Sequence, residues 1–359
     1  MPQKIRVLIV DDSALVREIL RQGLGGDPEL EVVGAAADPY QARDMIVQLR
    51  PQVLTLDVEM PRMDGVEFLR KLMPQYPLPV VMVSALTEQG KQITLDALEA
   101  GAVDFVAKPK ADVARGLTAM MTELRAKVKV AATANVSHWK GGRPDRLDRP
   151  DHLAKGPIRQ SLAESTDKVV AIGASTGGTE AIRELLTRLP ASFPGTVIVQ
   201  HMPTGFTRTF SERLNNLCAM EVREAQDGER ILPGKALIAP GGNHLRVLRS
   251  GGAYLAEVRP GPPINRHCPS VEALFDSVAV HVGRNAVGVM LTGMGADGAE
   301  AMVRMRQAGA RCLAQDEASC VVFGMPKEAH ARGGAERLVP ITEMADSIID
   351  ILASPAGKT

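Results

Sequence analysis

The ten residues from Val169 to Gly178, VVAIGASTGG, restrict the possible folds more than any other stretch of the chain. The apolar, β-branched run from Lys168 to Ile172 shows no polar alternation. It therefore reads as a strand buried on both faces, as in a parallel sheet covered by helices. Small residues end the run. Glu180, Ile182, Arg183, Leu185, Leu186 and Leu189 then recur at helical spacing before Pro190, which predicts a helix over 179–189. Ser175 falls in the strand-to-helix turn.

Gly173, Gly177 and Gly178 let backbone approach whatever Ser175 touches, and the start of the next helix presents unpaired amides at its positive end. Such amides suit an oxyanion, and Gly173-Ala-Ser175-Thr-Gly177 fits the G-x-S-x-G nucleophile pattern. The same residues also suit a phosphate- or dinucleotide-binding turn, and this stretch alone leaves both readings open.

The first 125 residues alternate strand and helix patterns. Strands are predicted at Ile5–Val10, Glu31–Ala35, Val53–Leu56, Val80–Ser84 and Val103–Ala107, which implies a doubly wound, flavodoxin-like parallel α/β domain. Its polar residues gather at one edge. Asp11 and Asp12 follow the first strand, Asp57 the third and Lys108 the fifth, while Ser84 closes the fourth. Carboxylates brought together there repel one another unless a cation joins them, and Mg²⁺, which accepts a few carboxylates and keeps positions open for phosphate oxygens, is the expected ion. Asp64-Gly-Val-Glu67 reads as a capping box for the helix carrying Phe68, Leu69 and Leu72.

IRVLIVDDSALVR, LTLDVEMPRMDG, VMVSA and FVAKP together resemble a response-regulator receiver domain. That resemblance implies that Asp57 accepts a phosphoryl group from a histidine kinase and that Asp11, Asp12 and Asp57 hold Mg²⁺. It further implies that Ser84 and Lys108 sense the acyl phosphate and that Phe105 is the switch aromatic.

The expected organisation is a receiver at 1–126, a Gly-, Pro- and charge-rich linker at 127–167, and a second domain at 168–353. Trp139, the only tryptophan, lies in the linker, where it can anchor the segment to one domain or make an isolated contact. Lysine plus arginine and aspartate plus glutamate are 42 each, so no basic surface points to nucleic acid, and neither a recognition helix nor a helix-turn-helix pattern follows the linker. The opening MPQKIRVLIVDD runs into a strand pattern instead of a leader, and no apolar stretch approaches the ~20 residues of a membrane span. Cys218, Cys268, Cys312 and Cys320 form no C-x-x-C pair. A reducing cytoplasm is the expected location.

In the second domain, Thr196–Gln200 reads as a buried strand followed by His201, and Ala286–Leu291 as another that runs into TGMGADG with Asp297. A hairpin is predicted from His244–Leu248 and Tyr254–Val258, which makes the domain a doubly wound parallel α/β unit with an added hairpin. Ser175, His201 and Asp297 all lie just past predicted parallel strands, where an open α/β sheet places its crevice. A nucleophile, an imidazole to take its proton and a carboxylate to fix the imidazole tautomer would then meet. Asp297 can instead cap the helix that follows it, and His244 and His267 rival His201 as the base.

GASTGG, VQHMP-x-GFT, APGG-x-HL, CPSVEALF and LTGMGADG resemble the catalytic domain of the chemotaxis protein-glutamate methylesterases over about 168–353. The resemblance assigns the triad to Ser175, His201 and Asp297, and backbone amides near Gly177 and Met294 are the expected receivers of the oxyanion. It implies hydrolysis of glutamate methyl esters, and deamidation of glutamines, on methyl-accepting chemotaxis receptors, with no cofactor for the ester chemistry. The two-domain organisation predicts activation by phosphorylation: an unphosphorylated receiver hinders access to the crevice, and phosphorylation of Asp57 uncovers Ser175. Cys268 stands where the family leads one to expect a basic residue, and the linker is long.

Overall fold

The computed structural model describes residues 3–85, 87–108, 113–140 and 167–354. Most of the expected linker, with His152, lies outside them. The chain divides into two compact units, Met1–His152 and Leu153–Thr359.

In the first unit, strands β1 (Ile5–Val10), β2 (Leu30–Ala36), β3 (Val53–Asp57), β4 (Val80–Ala85) and β5 (Asp104–Lys108) form one parallel sheet in the order β2-β1-β3-β4-β5. Helices α1 (Ala14–Gly25), α2 (Pro39–Leu49), α3 (Gly65–Leu72), α4 (Glu88–Glu99) and α5 (Val113–Ala131) connect and follow the strands. Local chemistry starts them: Ser13 accepts from the Val16 amide at α1, and Asp64 Oδ1 accepts from the Glu67 amide at 2.7 Å, one half of the expected capping box. The boundary expected at 126 falls inside α5. That helix continues to Ala131 because Val128 and Ala131 are fully buried and Lys127 pairs with Asp104 at 2.9 Å. The alternation of lysine and valine there hides helical burial from a periodicity reading. Trp139 packs within this first unit, its Cε2 lying 3.0 Å from where a Cβ on Gly101 would stand.

The second unit is built on a seven-stranded parallel sheet. Its elements begin with β6 (Val169–Ala174), α6 (Gly178–Leu186), β7 (Gly195–Gln200), α7 (Phe206–Leu217), β8 (Glu221–Glu224), β9 (Glu229–Arg230) and β10 (Lys235–Ile238). They continue with β11 (His244–Ser250), β12 (Ala253–Arg259), α8 (Val271–His281), β13 (Ala286–Met290), α9 (Ala299–Gln307), β14 (Arg311–Gln315), α10 (Met325–Ala331), β15 (Arg337–Val339) and α11 (Ile341–Ala353). The sheet order is β15-β14-β13-β6-β7-β10-β8.

Every residue of β6, β7 and β13 is buried, as their uninterrupted apolar runs require. The chain runs from β6 to β7 on one side, and β13 returns on the other. The three strands are therefore neighbours across the point where the winding reverses, and a crevice opens there at their carboxyl ends. The expected hairpin forms as β11–β12 around Gly251-Gly252, and β9 joins it as a third strand. Val247 N donates to Ser277 Oγ at 2.8 Å, which ties this small sheet to α8.

Candidate active site

Ser175 leaves β6 in a turn held from three directions. Its amide donates to the Thr292 carbonyl at 3.0 Å, its carbonyl accepts from Gly178 N at 2.7 Å, and Gln200 Nε2 donates to that carbonyl at 2.9 Å. Gly177 caps α6 in the left-handed region at φ 77°. The neighbouring glycines make room for protein rather than ligand: a Cβ on Gly173 would lie 2.3 Å from Val271 Cγ1, and one on Gly177 would lie 2.6 Å from Val321 Cβ. This packing disfavours the dinucleotide-turn reading, in which the space above the glycines belongs to a pyrophosphate.

His201 follows β7, and its amide bonds the Ala174 carbonyl at 3.1 Å. Its ring bridges the other two residues, with Nδ1 3.1 Å from Ser175 Oγ and Nε2 2.8 Å from Asp297 Oδ2. An ionised carboxylate only accepts, so Nε2 carries the proton it donates to Asp297. Nδ1 is then left with a lone pair facing the serine hydroxyl. The ring is 7% exposed.

Asp297 does not cap the helix that follows it; Gly298 occupies that position. Instead it lies at the N-terminus of α8, accepting from Val271 N at 2.7 Å and Glu272 N at 3.3 Å. Asn265 Nδ2 at 2.9 Å and Ser270 Oγ at 2.8 Å complete its donors. In exchange, Glu272 Oε2 accepts from Gly298 N at 3.0 Å, so the acid preceding α9 serves the start of α8 while an acid in the first turn of α8 serves the N-cap of α9. Burial by itself would raise the Asp297 pKa. The bonds from His201, Asn265 and Ser270, with the attraction of the imidazole, outweigh it and hold the pKa at about 2.

The two rival histidines take other places. His244 is buried and its Nε2 donates to the Pro262 carbonyl at 2.9 Å, while His267 stacks on the His201 ring. Gly293 touches Ser175, since a Cβ there would lie 2.7 Å from Ser175 Cβ, and Met294, which follows it, is 51% exposed. Asn265, Ser270, Gln200 and Thr292 also belong to the site. Among these only Ser270 carried a sequence signal, as the N-cap of α8, where its Oγ accepts from Ala273 N.

A second polar cluster lies at the carboxyl edge of the five-stranded sheet of the first unit. Asp11, Asp12 and Asp57 each offer an oxygen, all within 4.8 Å of one another. Lys108 Nζ reaches Asp57 at 2.9 Å and Asp11 at 3.2 Å. A cleft of about 600 Å³ opens over Asp12, Asp57 and Lys108. Burial, and then the charge on Asp11, push Asp57 up to about 6 despite its bond to Lys108. Burial opposes the charge on Lys108, but Asp57 and Asp11 prevail and raise its pKa. One lysine thus leaves excess negative charge in an oxygen-rich cleft, a donor set that fits a hard divalent cation.

Ser84 is fully buried, with Oγ 2.6 Å from Thr94 Oγ1 and 3.3 Å from the Gly90 carbonyl, both on α4. Phe105 is buried under Lys127, whose ammonium lies 5.2 Å from the ring centroid.

Residues 170–348 match the family described as CheB methylesterase, and residues 7–121 match the response regulator receiver domain. A protein-glutamate methylesterase/protein-glutamine glutaminase of Syntrophotalea carbinolica is 67% identical over 98% of this chain and 99% of its own. One from Salmonella typhimurium is 53% identical over 96% of each chain. Among solved structures, the CheB methylesterase catalytic domain of Thermotoga maritima matches with 36% identity and a TM-score of 0.51, covering 52% of this chain and 99% of that one. Among the described residues no helix is long and apolar enough to cross a membrane.

Proposed function

Because the chain belongs to the protein-glutamate methylesterase/protein-glutamine glutaminase family and carries a receiver domain, we propose that Ser175, His201 and Asp297 hydrolyse glutamyl methyl esters, and glutamine amides, of methyl-accepting chemotaxis receptors under the control of Asp57 phosphorylation. The observation that carries this reading is the unbroken path from Ser175 Oγ through His201 to Asp297, with links of 3.1 and 2.8 Å.

Ser175 Oγ attacks the ester carbonyl as His201 Nδ1 takes its proton. Asp297 stays ionised and stabilises the imidazolium without accepting a proton, in keeping with its low pKa. The amides near Gly177, at the positive end of α6, and near Met294, in the loop after β13, receive the oxyanion. As the tetrahedral intermediate collapses, His201 gives the proton to the leaving ester oxygen, which departs as methanol, or to the leaving nitrogen of an amide, which departs as ammonia. Water then attacks the acyl-serine by the same route and leaves a receptor carboxylate.

In the receiver, Asp57 takes a phosphoryl group from a histidine kinase, and Asp11, Asp12 and Asp57 would hold Mg²⁺. When bound, that ion neutralises charge on the carboxylates and phosphoryl oxygens. Lys108 reaches the phosphoryl oxygens once Asp57 is modified. Ser84 and Phe105 read the change, Ser84 through its contacts with α4. A cytoplasmic setting follows from a kinase donor and receptor side chains as substrate.

The test is methanol and ammonia release from a panel of receptors, with and without Asp57 phosphorylation, alongside capture of Ser175 by a fluorophosphonate. A chain that bound nucleotide with protection of Gly173–Gly178, and left Ser175 unlabelled, would overturn the hydrolase assignment.

A further inference from the structure

Two hydrogen bonds place the nitrogens of His201 and restrain the plane of its ring only through their own directionality. Rocking about the line between Nδ1 and Nε2 swings the Nδ1 lone pair away from the serine hydroxyl, because that lone pair lies in the ring plane and off the line. Something must hold the face of the ring. The ring of His267 lies on it, with centroids 3.7 Å apart and planes 7° from parallel.

His267 is delivered by a two-residue turn. Ile264 N donates to the His267 carbonyl at 3.0 Å, and His267 N donates to the Ile264 carbonyl at 2.9 Å. Between them Asn265 and Arg266 take φ of 51° and 70°, the left-handed values of the primed hairpin turns. These closing bonds are made by backbone and do not depend on the His267 side chain. The same turn aims Asn265 Nδ2 at Asp297 Oδ1, 2.9 Å away. Behind it, buried His244 donates to the Pro262 carbonyl at 2.9 Å and fixes the loop from which the turn rises. One short turn therefore reaches two of the three triad members, the carboxylate through Asn265 and the imidazole through His267.

We propose that His267 is a positioning residue: its ring holds the His201 ring in the plane that aligns Nδ1 with the Ser175 hydroxyl. It acts through His201 and takes no proton from the substrate. The inference rests on the triad reading of Ser175, His201 and Asp297. What the position requires is a flat ring, so a flat ring that cannot ionise serves in its place.

The experiment compares full-length wild type with His267→Ala, His267→Phe, His267→Leu and His201→Gln. Three quantities are measured for each: the rate of Ser175 capture by a fluorophosphonate, kcat and KM on methylated receptor, and the thermal unfolding midpoint. His267→Ala is expected to slow both capture and kcat about tenfold or more, the scale of a small misplacement of a reacting group. KM should stay within about twofold. His267→Phe should recover most of the loss.

His267→Leu fills a similar volume without a flat ring, so it should remain slow, and this pair decides the matter if the alanine variant unfolds. Equal rates for the Phe and Leu variants, a wild-type rate for a folded alanine variant, or a loss confined to KM would each overturn the proposal. His201→Gln separates the two levels. If it too kept wild-type capture, the triad itself would fall; if it alone were inactive, only the stacking role would.

Discussion

Asp57 closes β3 of the receiver sheet, and Asp297 lies in the loop after β13 of the catalytic sheet. Both stand at the carboxyl edge of parallel strands, and both side chains are almost wholly buried, at 7% and 2% exposure. Their titration is nevertheless driven in opposite directions, to about 6 and about 2. Burial is the leading influence at both sites and raises both. The difference comes from the neighbours: Asp297 meets donors from His201, Asn265, Ser270 and two amides at the start of α8, whereas Asp57 has one amide, that of Val58 at 2.8 Å, and faces Asp11 across a single lysine. The first carboxylate has every partner its charge requires within its own domain. The second has a deficit of positive charge that only something from outside can correct. On this view the catalytic site is organised before substrate arrives, and the receiver site is organised by what binds or modifies it.

The largest test of that contrast is at the nucleophile. Ser175→Ala, still folded, should lower methanol release by about 10⁴-fold or more, since the proton path then has no origin. Retention of most activity would remove the catalytic half of the comparison. Asp297→Asn comes next, with a loss of about 10³–10⁴-fold in kcat, because an amide presents N–H groups to donors and no longer fixes Nε2–H on His201. Removing the receiver is a smaller change. A chain starting near Ser165 should turn over faster than the unphosphorylated full-length enzyme by about 5- to 150-fold, the span of ordinary coupling energies. Equal rates would show that the receiver exerts no restraint.

The sequence already displayed much of this. The apolar runs of β1, β3, β6, β7 and β13 and the residues at their ends gave two parallel α/β domains and all the strand-end candidates, because burial on both faces leaves a local mark. What stayed hidden was non-local. No feature of TGMGADG says that β13 lies beside β6, nor that Asp297 serves the start of α8 rather than its own helix. The strand β9 is two residues long, too short for any period to register. The extension of α5 to Ala131 was masked by lysines whose neighbours are buried.

The two aspartates also predict opposite responses to acid. For Asp57 the folded pKa lies above the usual carboxylate value of 3.8, so its contribution is fully present below about pH 4 and is lost as pH rises through about 6. For Asp297 the folded pKa lies below that value. Its contribution is present above about pH 4 and is lost as pH falls toward 2. Between pH 7 and 4 the receiver should gain stability from this source while the catalytic unit does not. Asp57→Asn should remove the gain and stabilise the receiver at pH 7 by about 1–2 kcal/mol, first by ending the cost of burying a charge there and then by relieving the repulsion with Asp11. Calorimetry of the two domains across that window checks both statements. A receiver destabilised at pH 7 by Asp57→Asn would mean that its charge deficit is already met.

The smallest effect concerns the backbone beside each site. Arg62, in the loop after β3, and Arg266, in the turn under His267, both occupy the left-handed region, at φ 71° and 70°. A side chain there crowds the following carbonyl by ~1 kcal/mol, which glycine avoids, although glycine also gives back some of that gain through the freedom of its unfolded chain. Arg62 has compensation, since it pairs with Asp38 at 2.9 Å and lies over the Tyr40 ring at 5.7 Å, so Arg62→Gly should change stability by less than ~0.5 kcal/mol. Arg266→Gly creates Asn-Gly, the sequence best suited to a turn with two left-handed residues, and should stabilise the catalytic unit by about 0.5 kcal/mol. Denaturant titration of each variant gives the comparison directly. If Arg266→Gly were the more destabilising of the two, the arginine side chain would be supporting the catalytic rim as the triad's donors do, and the strain at Arg266 would be the consequence of that support.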